Sequence, residues 1–152
     1  MKITLKMNES NTEMTVNMTM NGARIYRQNF SRDMLKDMNE IYVKLHKSPF
    51  DGIDMSGIQV EGKTDQEIYE QLMSKVDVTK LLASQTKETL DYDETERGAQ
   101  IIWAFAKNAD RNLPDFEEWI EGLDYILPVG DIVCALYEAW HRSAMPTVEI
   151  KN

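Results

Sequence analysis

The stretch DYDETERGAQIIWAFAK, residues 91–107, decides the fold. Asp91, Asp93, Glu94 and Glu96 crowd its first part, where carboxylates meet the positive end of a helix dipole. From Ala99 onward, Ile101, Ile102, Trp103, Phe105 and Ala106 place apolar side chains nearly all round the helix. Such a helix has no face to give to water. It predicts a central element that the rest of the chain must cover.

The N-terminal residues supply one covering layer. Ile3, Leu5 and Met7 alternate with polar residues, and after a polar turn from Asn8 to Thr12 the alternation resumes through Met14, Val16, Met18 and Met20. A period of two is that of a half-buried strand. Asn21-Gly22 carries a type I′ hairpin signal, since both central positions of that turn need positive φ, and ARIYRQ can then return as a third strand. Residues 1–30 therefore predict an antiparallel β-hairpin or meander. Ser31 suits the N-cap of a first helix over 31–46, with an apolar stripe of Met34, Met38, Ile41 and Leu45.

Residues 47–63 hold one proline and three glycines and predict a connecting loop, with a short extended piece at Gly57 to Val60. Thr64 and Glu67 have capping-box spacing and start a helix carrying Ile68, Leu72 and Val76. Asp77 suits the cap of a further turn with Val78, Leu81 and Leu82. After the central helix, Asn108 to Asn112 read as a polar loop. Pro114 and the pair Asp115/Glu118 then predict a second capping box for a short helix with Phe116, Trp119, Ile120 and Leu123 on one side. Asp131 suits the cap of a last helix, whose wide apolar face holds Ile132, Val133, Leu136, Tyr137 and Trp140. Residues 64–145 form an acidic helical part and 146–152 a loose tail. The expected fold is α+β: one domain, with a small antiparallel sheet followed by about five helices.

Charge divides the chain in the same place. Residues 1–63 hold nine Lys/Arg and eight Asp/Glu, whereas 64–152 hold eight and 18, so the net −9 belongs to the helical part. A surface of that sign repels phosphate backbones and disfavours nucleic acid. It serves solubility alone, or steering toward a basic or apolar protein partner. No stretch reaches the roughly 18 apolar residues of a membrane helix, and the alternating N-terminus lacks the apolar core of a secretory signal. The lone Cys134 excludes an intramolecular disulfide and, with the missing signal, points to a reducing cytoplasm. Ten methionines suit either core gaps or a binding face that adapts to several partners.

Catalytic constellations are sparse. His46 and His141 are far apart, and no phosphate loop, dinucleotide fingerprint or zinc-spaced cysteine pair occurs. The clusters Asp91/Asp93/Glu94/Glu96 and Asp115/Glu117/Glu118/Glu121 raise a paired-carboxylate hydrolase, but both stand where helix starts already account for acids. DYDETERGAQII lacks the central glycine and terminal glutamate of an EF-hand loop. No catalytic residue, cofactor or metal is expected. The reading is a protein-binding factor, not an enzyme.

Residues 101–123, IIWAFAKNADRNLPDFEEWIEGL, carry a more specific pattern. A Trp/aromatic-rich helix, a Lys-Asn turn and a P-D-F-x-x-W helix, here Trp103, Phe105, Lys107, Asn108, Pro114, Asp115, Phe116 and Trp119, resemble the end of the tail assembly chaperones of long-tailed bacteriophages infecting Gram-positive bacteria. The remainder resembles them only in size, acidity and layout. The resemblance implies a non-catalytic factor of the host cytoplasm that coats the tape-measure protein, recruits tail-tube subunits and is absent from the mature virion. Many such chaperones also exist in a longer frameshifted form. The implied partners are the tape-measure and tail-tube proteins, with self-association possible and neither nucleic acid nor membrane involved. Phe116, Trp119, Ile120, Trp103, Phe105 and Asp115 are the candidate partner-binding residues, and the alternative for the aromatics is the domain's own core. A different class of function is a structural head–tail connector or tail-completion protein of the virion.

Overall fold

Alternation at the N-terminus becomes a two-stranded antiparallel sheet, β1 (Lys2–Lys6) and β2 (Glu13–Asn17), in which Ile3 stands opposite Val16 and Leu5 opposite Met14. Ile3, Leu5, Met14 and Val16 turn inward, and Met7 and Met18 continue the buried row just beyond the strands. Backbone pairing outlasts the strands as well: Met18 donates to the Met1 carbonyl at 2.8 Å and Met7 to the Thr12 carbonyl at 2.9 Å. The computed structural model describes residues 1–7, 12–46, 57–74 and 89–144. The expected turn with Val78, Leu81 and Leu82, most of the Asn8–Thr12 turn and the 146–152 tail lie outside the described residues.

The expected third strand is a helix. α1 runs Met20–Phe30, and Asn21 and Gly22 sit in its first turn instead of a type I′ turn. Gly22, Tyr26 and Phe30 recur every four residues, a helical spacing that competes with the alternation carried over from β2. Packing against the central helix settles the competition. A Cβ on Gly22 would stand 2.5 Å from Cδ1 of Phe105, so this glycine provides close approach between helices, not a positive φ. Met20 consequently leaves the inward row and is 67% exposed.

The helix boundary expected at Ser31 also moves. Ser31 is the left-handed C-cap of α1, with φ 55°, and its N–H donates to the Arg27 carbonyl. Asp33 begins α2 (Met34–Leu45) instead, its Oδ1 accepting from the N–H groups of Leu35 and Lys36 at 3.0 and 3.3 Å. Met34, Met38 and Ile41 are buried as the stripe requires, and Leu45 is half-buried. Asp37 lies on the same buried side at 1% exposure. It accepts from the Tyr26 hydroxyl at 2.6 Å, from Arg32 Nε at 2.7 Å and from Arg32 Nη2 at 2.9 Å. One carboxylate thus joins α1, the α1–α2 corner and α2.

The helix after residue 91 is α4 (Tyr92–Ala109), started by a capping box in which Glu94 N–H donates to Asp91 Oδ1 at 2.8 Å and Asp91 N–H to Glu94 Oε1 at 3.0 Å. Gly98 and Ala99 and every residue from Ile101 to Ala106 are buried. α4 packs against β2, α1, the short α5 (Phe116–Glu121) and α6 (Val129–Ala144). A Cβ on Gly98 would lie 2.3 Å from Val129 Cγ1, so a second glycine admits the start of α6. Asp115 occupies the N-cap of α5 without a side-chain cap bond, so the expected Asp115/Glu118 capping box is absent. α6 begins two residues before Asp131, which is therefore a first-turn acid and not the cap.

Chain contacts divide the protein into two compact units, residues 1–43 with 90–152 and residues 44–89. Described parts of the second unit are 44–46, 57–74 and Thr89, with α3 (Asp65–Ser74) its described helix. At its start Glu67 N–H donates to Thr64 Oγ1 at 3.2 Å, while the Glu67 carboxylate accepts the Thr64 hydroxyl at 3.3 Å. Gln71 grips the backbone of Gln59 through both amide atoms, at 2.8 and 2.9 Å. Among the described residues, no helix is long and apolar enough to cross a membrane.

Two outcomes follow from these contacts. Gly22→Ala, which stabilises an exposed helix, is expected to destabilise this one by about 1–3 kcal/mol, because the buried Phe105 ring has nowhere to move; the urea midpoint reports it. Burial by itself would raise the Asp37 carboxyl, but the hydrogen bonds from Arg32 and Tyr26 and the nearby guanidinium charges outweigh it and hold the group below its ordinary value of 3.8. A depressed carboxyl contributes stability that is complete above the unfolded value and disappears as pH falls through the folded one. The stability gap between the wild-type protein and Asp37→Asn is therefore expected to be constant from pH 7 to about pH 5 and to close below about pH 4.

Candidate partner-binding surface

The residues that carry the family resemblance form one connected fastening around the end of α4. Trp103 donates its indole N–H to the Pro114 carbonyl at 2.9 Å. Lys107 reaches over the turn and donates its ammonium to the carbonyls of Arg111, at 3.0 Å, and Leu113. Asn108, still within the helix, donates to the Asn17 carbonyl and to Thr19 Oγ1, both at 2.8 Å, and accepts from Asn21 Nδ2 at 2.8 Å. The side chains of a short polar sequence thus tie α4 to α5 on one side and to the β2–α1 junction on the other.

The aromatic residues lie beneath this fastening. Phe30 meets Trp103 edge-on at 5.7 Å and Phe116 at 5.6 Å, and Phe116 in turn lies 6.2 Å from Trp119. Phe105 packs against Trp140 at 6.1 Å. Trp103, Phe105, Phe116 and Trp119 are all buried in the chain's own core. Of the six residues singled out from sequence, Asp115 is exposed and Ile120 half-buried. The aromatic area is spent on folding.

What stays open lies next to them. Between the first half of α4, α5 and the segment 123–128 is a groove of about 420 Å³, lined by Ala99, Phe116, Ile120, Leu123, Ile126 and Leu127 among others. Segment 123–128, LDYILP, has no regular secondary structure and bends at Tyr125: Leu123, Tyr125 and Leu127 are half-buried, while Asp124, Ile126 and Pro128 face out. Ile126 is 95% exposed and Tyr92, which also lines the groove, 80%. Burial raises the Tyr125 phenol above its ordinary value and the Asp124 carboxylate adds to the shift, so the ring stays neutral against the groove. Among the described residues, the charged residues lining the groove are Glu96 and Glu117, and neither Lys nor Arg lines it. Leu123, Tyr125, Ile126 and Leu127, apolar or aromatic residues between Gly122 and Pro128, are the available sequence signal for this surface, but Leu123 reads only as part of the short helix.

Other chemistry-bearing side chains are engaged elsewhere. Asp91 and Glu94 complete the capping box. Burial raises the Cys134 thiol, and Asp131 and Glu138 push it further from the reactive thiolate. His141 packs against Tyr137 with its ring tilted, at 4.4 Å, and Tyr137 stacks on Tyr42 at 4.3 Å, with the Tyr137 hydroxyl donating to Asn39 at 2.8 Å. Among the described residues, no group of three His, Cys, Asp or Glu is placed to hold a metal.

Phe116→Ala is expected to lower stability by about 3–5 kcal/mol, the cost of emptying an aromatic core site. Its melting transition is the measurement, and loss of partner binding without loss of stability would contradict the core assignment. No protein-family profile, curated protein or solved structure matches the chain.

Proposed function

We propose that this chain is a non-catalytic tail assembly chaperone of a long-tailed bacteriophage. In this role it binds the tape-measure protein in the infected host's cytoplasm and recruits tail-tube subunits. It departs before the virion is complete. The observation that carries the reading is the open apolar groove beside α5, on the acidic half of the chain. A temporary coat for long apolar helices needs accessible apolar surface, modest affinity and a charged exterior that keeps the complex dissolved. The resemblance at Trp103, Lys107, Asn108, Pro114 and Phe116 supports the same role: Trp103 and Lys107 bond the turn that leads into α5, and Phe116 of α5 lines the groove.

Co-expression with the tape-measure protein encoded beside it tests the function. The expected result is that the tape-measure protein moves from the insoluble to the soluble fraction and co-purifies with the chain. An insoluble tape-measure protein with no association would overturn the reading. The chain in purified virions would instead favour a structural tail component.

A further inference from the structure

We propose that the groove between α4, α5 and the 123–128 segment docks an amphipathic helix whose apolar face is flanked by Lys or Arg. The proposal rests on the chaperone reading and names the chemistry of the segment that such a partner would offer.

Shape and charge together select this occupant. The groove is lined by Ala99 and Tyr92 from α4, Phe116 and Ile120 from α5, and Leu123 and Ile126 from the segment after it. Its volume of about 420 Å³ lies in the range of about 300–1,000 Å³ typical of built binding pockets. Extended partners draw affinity from a free sheet edge, and among the described residues no strand borders this groove. An inserted helix reads an apolar groove through anchors at i, i+3, i+4 and i+7.

The rim supplies the sign. Glu96 and Glu117 stand beside the apolar lining, and among the described residues neither has an ion-pair partner. Asp93, Glu121 and Asp124, within seven positions of one or the other, are exposed and add negative charge to the same part of the chain. The nearby cation Arg97 is committed to Glu40 on α2 at 3.6 Å. Uncompensated carboxylates around an apolar surface favour a partner with cations at the same radius and reject acidic helices. Nucleic acid, with its phosphates, meets the wrong charge.

Ile126 makes the test separable from folding. At 95% exposure it contributes almost nothing to the core, so Ile126→Glu is expected to leave the melting temperature unchanged. The probe is a synthetic helical peptide with Leu at i, i+3, i+4 and i+7 and Lys on both flanks, titrated into the full chain by calorimetry. A matched peptide with Glu flanks is the control.

Saturable binding of the Lys peptide, weakened about tenfold or more by Ile126→Glu and by the double reversal Glu96→Lys/Glu117→Lys, is the expected result. The double reversal should also bring the Glu peptide into measurable binding. Equal affinity for the two peptides, or a Lys peptide indifferent to both variants, would overturn the proposal. So would failure of either peptide to bind together with a dimer in sedimentation that Ile126→Glu dissolves, which would assign the face to a second copy of this chain. The two readings fail separately. A tape-measure protein held equally well by wild type and Ile126→Glu removes the groove and leaves the chaperone. Peptide binding with the predicted charge dependence, but no tape-measure association, does the reverse.

Discussion

Phe105 of α4 against Gly22 of α1 is the contact on which the first unit depends. The ring occupies the space where any other residue would carry a Cβ, 2.5 Å from Cδ1. That approach brings α1 down on the central helix, and Trp103, two residues earlier, meets Phe30 from the same helix. Gly98 repeats the device where α6 begins, with Val129 in the vacated space. A helix apolar on nearly all sides is stable only if neighbours cover each side. Two glycines let them come close enough to do so.

Polar groups then fix the orientation that dispersion alone leaves loose. Asn108 completes hydrogen bonds to both β2 and α1, and Lys107 and Trp103 hold the carbonyls of the α4–α5 turn. Asp37 performs the equivalent task at the α1–α2 corner with three charge-assisted or short bonds. Each is a buried or half-buried group, and the partners of Asn108 come from residues distant in sequence. Trp103, Lys107 and Asn108 thus serve structure: they tie α4 to the turn before α5 and to the β2–α1 junction.

Division of labour among apolar residues follows from this packing. Trp103, Phe105, Phe116 and Trp119 have the composition of interface anchors, yet they are interior. Ile126 and Tyr92, chemically less conspicuous, carry the accessible surface. The methionines follow the interior pattern: Met7, Met18, Met34 and Met38 fill core positions, while Met20 does not.

Local chemistry determined much of this from residue order alone. Alternation at Ile3, Leu5, Met14 and Val16 specifies a half-buried hairpin, and the Asp91/Glu94 spacing with the apolar run behind it specifies the central helix, because both signals are complete within a few residues. Tertiary structure decided where local signals conflict or are silent. Asn21-Gly22 satisfies a hairpin turn and a helix start equally, and only the Phe105 ring, 83 positions away, selects the helix. Ser31 and Asp33 are both competent caps; the Asp37–Tyr26–Arg32 bonds at the corner place the boundary between them. Whether an aromatic is core or interface depends on what stands opposite it, which no local pattern encodes. The central helix that predicted a covered fold is covered, and its neighbours, not its own residues, determine which apolar side chains remain exposed.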